Sequence, residues 1–123
     1  MTARRNETHD PDCIFCRMVT GETPVEAVYE STDTLFFRDI SPKAKVHVLG
    51  IPKRHIVSLA HMTDDDQLLI GKLIHDATKV ARDLGLVAGG YRIISNVGDD
   101  AGQVVKHVHF HVLGGERLGP MRC

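Results

Sequence analysis

The sequence lacks several features that would place it in a specialised class of protein. Its 123 residues include no tryptophan, and the formal net charge is only −1. Balanced charge provides no broad basic surface for nucleic acid or for an anionic membrane, so we expect neither as a partner. No apolar run approaches the ~20 residues that a transmembrane helix needs. What remains is an ordinary globular composition, long enough for one domain with its own core.

The N-terminal segment and the cysteines indicate where the protein works. Residues 1–12 are polar and charged and lack the apolar centre of a signal peptide, so we expect a flexible tail before a single domain over residues 13–123. The three cysteines, Cys13, Cys16 and Cys123, do not form the even set of a secreted disulfide framework. A close pair with one separate cysteine favours a reducing compartment, which predicts a cytoplasmic protein.

The alternation of histidine with apolar residues from His107 to Val112 is the most informative pattern in the chain. A period of two predicts a β-strand that carries His107, His109 and His111 on one face and the apolar residues on the other. Imidazole nitrogens need hydrogen-bond partners, so three such rings are poor filling for a core. The row therefore predicts a metal site, a catalytic row or a mixture of both, and a purely structural role is the less favoured alternative.

Apolar periodicity and turn residues predict two helices and five strands. A short helical turn ends at Gly21, and a long helix spans residues 64–84 between an N-cap at Thr63 and a stop at Gly85. The strands are predicted over residues 25–29, 33–40, 46–51, 91–97 and 107–112. Short connections between consecutive strands favour an antiparallel sheet with the helices on one face, which is an α+β architecture.

The segment Cys13-Ile14-Phe15-Cys16 is a Cys-x-x-Cys motif, which suits either a redox pair or half of a zinc site. A redox pair of this kind usually lies at a helix start within a βαβ unit, and no strand is predicted before this one. A zinc site is therefore favoured, and it needs two further ligands elsewhere in the chain. Two small buried apolar cysteines are the alternative.

Signals outside these two motifs are weaker. The glycine-rich loop over residues 98–103 directly precedes the histidine row, and its backbone N–H groups can approach an anion closely. His55 follows a predicted strand, at a position from which functional side chains often project. We interpret His47 as a partly buried, hydrogen-bonded structural histidine, and His61 and His75 as surface or boundary residues.

Together these motifs resemble the histidine triad (HIT) superfamily over nearly the whole chain, from about Cys13 to Gly115. The histidine row has Gln103 just before it and two glycines just after it, as in that signature. Four segments resemble the Hint branch, the histidine triad nucleotide-binding proteins: Asp39-Ile40-Ser41-Pro42, Ile51-Pro52-Lys53-Arg54-His55, Asp83-Leu84-Gly85-Leu86 and Val112-Leu113-Gly114-Gly115. The resemblance implies a HIT-like five-stranded antiparallel sheet with one long and one short helix, and a homodimer in which two sheets join into one of ten strands.

The resemblance also implies an activity. Hint-type proteins bind purine nucleotides such as AMP and GMP, and they cleave the P–N bond of nucleoside 5′-monophosphoramidates, including adenosine phosphoramidates, or the acyl-phosphate bond of aminoacyl adenylates. The middle histidine, His109, would be the nucleophile and would form a covalent nucleotidyl intermediate, from which water releases AMP. The backbone carbonyl near His107 would orient it, and His111 would hydrogen-bond the phosphate.

A nucleotide pocket follows from the same resemblance. Asp39 would bind the ribose hydroxyls, and Asn96 would donate a hydrogen bond near the phosphate. Backbone N–H groups would stabilise charge on the phosphate oxygens. The other assigned residues are the apolar walls around the base, Ile14, Phe15, Phe37 and Ile40, and the three residues that supply those N–H groups, Gly102, Gln103 and Val104.

Many bacterial relatives in this branch hold zinc, and the resemblance supplies the two ligands that the Cys-x-x-Cys motif lacks. The implied set is Cys13, Cys16, His55 and His107. Two thiolates and two imidazoles suit tetrahedral zinc with no open coordination position, so the metal would be structural. It would join the N-terminal turn to the histidine strand without touching substrate.

Two departures from the Hint pattern bear on the activity. Val104 stands where Hint proteins usually carry a serine, and a valine side chain cannot donate a hydrogen bond to the phosphate or the leaving group. The C-terminal segment from Leu118 to Cys123 lacks the tryptophan and the Pro-Pro-Gly end that the branch usually has. The alternatives are a dinucleoside polyphosphate hydrolase of the Fhit-like branch, a nucleotide-binding scaffold protein with negligible turnover, and a zinc-stabilised interaction module.

Overall fold

Five antiparallel strands form the centre of the computed structural model, which describes residues 9–121. Residues 1–8 of the predicted tail and Cys123 lie outside the described residues. The strands are β1 (Ala27–Glu30), β2 (Thr34–Arg38), β3 (Val46–Pro52), β4 (Tyr91–Ile94) and β5 (Phe110–Gly114), and the helices are α1 (Ile14–Val19) and α2 (Gln67–Asp83). The strand order is β1-β2-β3-β5-β4, with every neighbouring pair antiparallel. The predicted five-stranded antiparallel sheet is confirmed.

The sheet is apolar on both faces, because β2 and β3 carry apolar side chains at successive positions. Phe36 and Val48 belong to the core that α2 covers. Phe37 and Leu49, one residue further along each strand, pack instead with Phe15 of α1. A sheet with two apolar faces needs a cover on both of them. The prediction that both helices lie on one face is therefore wrong, since α1 covers the face opposite to α2.

Helix α2 begins three residues later than predicted, at Gln67 rather than at residue 64, and it ends at Asp83, one residue before the predicted end. The Thr63 N–H donates to the Asp66 carboxylate at 2.8 Å, and a 3₁₀ turn over Asp64–Asp66 leads into the helix. The acidic residues of this turn lie at the positive end of the helix dipole. After the last turn, Gly85 has a φ of +76°, a conformation that favours glycine. Among the described residues, no helix combines enough length with enough apolar character to cross a membrane.

The histidine strand is shorter than predicted. β5 begins at Phe110, and residues 107–109 form a segment before it that lies outside the ladder. β3 ends at Pro52, which has no N–H to donate, and the Val108 N–H donates to the Ile56 carbonyl at 2.7 Å instead. The predicted alternation still holds, because the apolar residues of this stretch lie in the α2 core.

Strand β4 is also shorter than predicted. It ends at Ile94 rather than at residue 97, and Ile94 is the last position that pairs with β5, opposite His111. The residues after Ile94 leave the ladder at the level where β5 begins, and Ser95 Oγ donates a hydrogen bond to the His109 carbonyl at 3.0 Å. They lead instead into the glycine-rich loop before the histidines.

We expect Gly50→Ala to destabilise the protein by about 1–3 kcal/mol, the usual cost of overpacking. Gly50 lies opposite Phe36 in the sheet, and a Cβ at this position would overlap the Phe36 ring. Gly71→Ala is the matched control, because Gly71 lies inside α2 and an added Cβ would meet no atom within 4 Å. That change should instead stabilise the protein by about 0.5–1 kcal/mol. Urea unfolding of both variants measures the difference, and equal effects would contradict the packing argument.

Candidate active site and metal centre

The three histidines of the row lie together on the α1 side of the sheet. His107 and His109 are buried, and His111 is half-buried. The rings of His109 and His111 have centroids 5.1 Å apart. The Phe15 ring of α1 packs edge-on against His109 at 5.2 Å and against His107 at 5.8 Å. The extended segment and the start of β5 thus place the rings of His109 and His111 side by side, with the buried His107 ring next to them.

Hydrogen bonds fix the His109 ring in one tautomer. Its Nδ1 lies 2.8 Å from the carbonyl oxygen of His107, and a carbonyl only accepts, so Nδ1 carries the proton. Nε2 is left with a free lone pair. Burial lowers the pKa of His109 below its usual value of 6.5, so the ring is neutral at pH 7. A neutral, oriented imidazole with a free lone pair has what a nucleophile needs.

Four buried side chains form a group that could hold a metal ion, Cys13, Cys16, His55 and His107, whose donor atoms all lie within 4.8 Å of one another. His107 Nε2 donates to the Pro52 carbonyl at 2.9 Å, which leaves a lone pair on Nδ1. That Nδ1 lies 3.4 Å from Cys13 Sγ, and His55 Nδ1 lies 3.3 Å from Cys16 Sγ. Two sulfur and two nitrogen donors at these separations fit a tetrahedral transition-metal ion.

The electrostatics of this group also suit a bound cation. Burial raises the pKa of the Cys16 thiol to about 11, and the neighbouring Cys13 adds to the effect. Burial lowers the pKa of His107 to about 4, so this imidazole is neutral and able to coordinate. A cation would compensate the negative charge of the thiolates and displace their protons. The Asp10 N–H donates to Cys16 Sγ at 3.3 Å, so the described end of the predicted tail contacts this group.

Three residues assigned to the nucleotide pocket line one cavity. Asp39, Asn96 and His111 border a space of about 440 Å³, together with His47. Asp39 Oδ1 accepts a hydrogen bond from the Ser41 N–H at 2.8 Å, which orients the carboxylate. The cavity wall therefore offers a carboxylate, an amide and imidazoles, which are suitable partners for hydroxyl groups and phosphate oxygens.

The predicted apolar walls are only partly assembled. Phe15 and Phe37 are buried, with ring centroids 5.6 Å apart. Ile14 is 39% exposed, which leaves part of its side chain available to a ligand. Ile40 is 99% exposed and packs against neither ring, because it lies beyond the end of β2 in the turn that leads to β3. The structure thus brings three of the four wall residues to the α1 side and leaves Ile40 apart.

The loop before the histidines is largely closed on itself. The N–H groups of Gly102 and Gln103 donate to the carbonyls of Asp99 and Gly98, each at 3.0 Å. Among the described residues, Val104 is the only one of the three predicted phosphate-binding positions whose N–H has no partner. The Val104 side chain is 86% exposed. Of the three predicted N–H groups, therefore, only that of Val104 is available to an anion.

The side chain of Gln103 supports the loop from inside. It is buried, accepts a hydrogen bond from the Gly98 N–H at 2.9 Å and donates to the Val57 carbonyl at 2.7 Å. With both ends of its amide occupied, the Gln103 side chain fixes the loop next to the histidine row. It has no free group to offer a ligand.

A family model described as the HIT domain matches residues 20–118, a span that contains the whole sheet, α2 and the histidine row. The chain belongs to the HIT family. Its relatives include an uncharacterised 13.2 kDa HIT-like protein of Azospirillum brasilense, which is 43% identical over 119 residues, or 94% of this chain and 95% of that protein.

Solved structures place this HIT protein among hydrolase-like members of the family. A HIT family hydrolase from Legionella pneumophila Philadelphia 1 shares 42% identity with a TM-score of 0.86, over 88% of this chain and 96% of that one. The histidine triad nucleotide-binding protein from Candida albicans shares 32% identity with a TM-score of 0.74, over 91% and 85% of the two chains. Both sequence identities are higher than expected for proteins that share only a fold.

His47 belongs to the site of this HIT protein, although its sequence context indicated a structural role. It is buried and hydrogen-bonded, as predicted, but its Nε2 lies 2.9 Å from Nδ1 of His111 and 3.5 Å from Oδ2 of Asp39. The period of two along β3 places His47 on the same face as Leu49, which pairs with His111. The missing information was the register between β3 and β5, which neither strand specifies by itself.

Removing one sulfur donor should abolish metal binding by the four-residue group. We expect Cys16→Ser to purify without a transition metal and to unfold at a lower temperature, because metal binding and folding are coupled in closed sites. Cys123→Ser removes the cysteine outside the group and should behave as the wild type. Elemental mass spectrometry and the thermal midpoint, measured on the same preparations, check this. Equal metal content in the two variants would contradict the assignment.

The burial of His111 predicts a loss of stability in acid. Burial, helped by the neighbouring His109 and His47, lowers the pKa of His111 from 6.5 to about 4. Between these values the unfolded chain binds a proton that the folded protein does not, so the free energy of unfolding falls as the pH drops from 6.5 to 4. Urea unfolding at several pH values should show a shallower decline for His111→Gln. The exposed control His75→Gln should keep the wild-type slope.

Proposed function

We propose that this HIT protein is a purine nucleotide-binding hydrolase of the Hint branch, which cleaves the P–N bond of nucleoside 5′-monophosphoramidates and releases AMP. The observation that carries the proposal is the His109 ring, held by the His107 carbonyl at 2.8 Å with Nε2 unprotonated. Membership of the HIT family and the hydrolase among its solved relatives support a hydrolytic reaction. The Candida albicans relative is a nucleotide-binding protein, which supports a nucleotide as the substrate.

The reaction proceeds in two displacements at phosphorus. His109 Nε2 attacks the α-phosphorus and forms an N–P bond, while the bond to the amine breaks with its electron pair on the amine nitrogen. That nitrogen takes its proton from water, and the amine leaves. A second water molecule then attacks the same phosphorus and gives one proton to the hydroxide that the first one left. The bond to His109 breaks with its electron pair on Nε2, and AMP leaves with the ring restored. Splitting the hydrolysis in this way divides one difficult displacement into two easier ones.

The cavity next to the row supplies recognition of the nucleotide. Asp39 accepts hydrogen bonds from the ribose hydroxyls, and its orientation is already set by the Ser41 N–H. Asn96 and His111 border the same cavity and bind the phosphate. The Val104 N–H, which has no partner among the described residues, stabilises charge on a phosphate oxygen. The base lies against the exposed part of the Ile14 side chain and against the rings of Phe15 and Phe37.

Zinc is the metal that best fits the four buried donors. The ion would be held by Cys13, Cys16, His55 and His107, and this closed set leaves no position for substrate. Its contribution is structural, because it would join the start of α1 to the residue whose carbonyl orients His109. Two zinc-bound thiolates also agree with a reducing, cytoplasmic location.

The proposal includes a homodimer with a shared sheet. β4 pairs with β5 on one side only and forms an edge of the sheet, and the side chains of all its residues are half-buried. An unpaired edge strand with apolar residues is a template for a second strand. Two copies joined along β4 would give one sheet of ten strands.

Replacing the nucleophile provides the main test. We expect His109→Ala to lower turnover of a fluorogenic adenosine phosphoramidate by at least about a thousandfold, because the covalent route is lost. Intact mass spectrometry of the wild type mixed with substrate should show an adenylylated enzyme, which the variant lacks. His75→Ala, on the exposed surface of α2, controls for the loss of a histidine as such.

The same assay separates the proposal from its alternatives. Faster hydrolysis of dinucleoside polyphosphates than of phosphoramidates would place the protein with the Fhit-like branch. AMP binding without turnover of any substrate would make it a nucleotide-binding scaffold. The exposed Val104, which supplies no side-chain donor beside the row, is the observation that favours this second possibility.

A further inference from the structure

A second cluster of potential metal ligands, Asp39, His47 and His111, lies beside the row, with donor atoms within 4.8 Å of one another. The position of one proton decides what this cluster does. His47 Nδ1 lies 3.0 Å from the backbone nitrogen of Lys43. A backbone N–H only donates, so Nδ1 must present its lone pair, and the proton of the neutral ring must be on Nε2.

This proton position argues against a metal ion in the cluster. A metal would need the lone pair of His47 Nε2, and the ring proton would then have to move to Nδ1. There it would face the Lys43 N–H across 3.0 Å, with two donors and no acceptor. The cluster is therefore a hydrogen-bond network in which His47 Nε2 is a donor.

The same reasoning extends to His111. His47 Nε2 and His111 Nδ1 are 2.9 Å apart, and the proton on His47 Nε2 requires His111 Nδ1 to accept. The proton of the neutral His111 ring must then be on Nε2. His111 therefore offers an N–H donor to the cavity that it lines, whereas the neighbouring His109 offers a lone pair.

We propose that His47 is a positioning residue, which holds His111 as the Nε2–H tautomer so that His111 can donate a hydrogen bond to the phosphate of a bound nucleotide. The inference rests on the proposed function, because it takes a nucleotide phosphate as the partner of His111. The opposite tautomer would turn a lone pair toward an anionic oxygen, which is repulsive. The Lys43 N–H thus selects, through two rings, the polarity of a group at the reaction site.

Two measurements on the full-length protein with its metal bound test this role. Long-range ¹H–¹⁵N NMR at pH 7 should show wild-type His111 as the Nε2–H tautomer. In His47→Leu we expect a mixture of His111 tautomers, because the donor to Nδ1 is gone. His47→Gln should restore the single tautomer, since a glutamine amide can donate from the position of the histidine Nε2. A His111 tautomer that stays unchanged in His47→Leu would overturn the proposal.

Calorimetric affinities for AMP and adenosine provide the second readout. His47→Leu should weaken AMP binding about tenfold, the size of one lost hydrogen bond to a charged group, and leave adenosine within about twofold. Equal losses for both ligands would overturn the proposal, because they would show that His47 acts through the ribose-binding Asp39. The control His75→Leu should change neither affinity.

The two readouts also separate this proposal from the proposed function. If wild-type protein binds no AMP, the proposed function fails, and the NMR measurement still decides whether His47 sets the His111 tautomer. If the wild type cleaves phosphoramidates but the His111 tautomer is unchanged in His47→Leu, the proposed function stands and the proposed role of His47 is wrong.

Discussion

A neutral imidazole carries one N–H and one lone pair, so a fixed partner on one nitrogen determines what the other nitrogen can do. The backbone supplies that partner directly for His107 and His109, and through the His47 ring for His111. The last carbonyl of β3 fixes His107 and leaves Nδ1 for a metal, and the His107 carbonyl fixes His109 and leaves Nε2 for phosphorus. The Lys43 N–H acts on His111 through His47. Backbone groups neither titrate nor change rotamer, so the assignments of His107 and His109 hold for as long as these rings are neutral.

The two-sided sheet explains how a stable domain carries this arrangement. The α2 face supplies an apolar core that includes the residues alternating with the histidines, and it anchors the row from behind. The α1 face holds the histidines, the cysteines and the Phe15 ring in a smaller core. His107 belongs to both proposed centres, since its side chain faces the cysteines and its carbonyl holds His109. Metal binding and orientation of the nucleophile therefore meet in one residue.

Local signals in the sequence predict much of this structure. The alternation around the histidines gave the correct faces. Gly85 gave the end of the long helix to within one residue, because a positive φ depends on a few neighbouring residues, whereas Thr63 marked the 3₁₀ turn that precedes this helix. The face covered by α1 was predicted wrongly, since it depends on which core accepts Phe15. The partner of His47 was also beyond prediction, because it depends on the register between two strands distant in sequence. Family resemblance extended the assignment of the site, but it did not specify that Gly102 and Gln103 use their N–H groups to close the loop.

The hydrogen bond from Val108 to the Ile56 carbonyl joins the segment between two histidines to the chain directly after His55. These two stretches and the end of β3 therefore depend on one another for their hydrogen bonds. Grafting only the histidine row onto another protein would separate His107 from the Pro52 carbonyl and His111 from the His47 ring, so the proton positions of these two rings would be undefined. The transferable unit for enzyme engineering is the row together with the segment that ends at Ile56 and with the turn that contains Lys43.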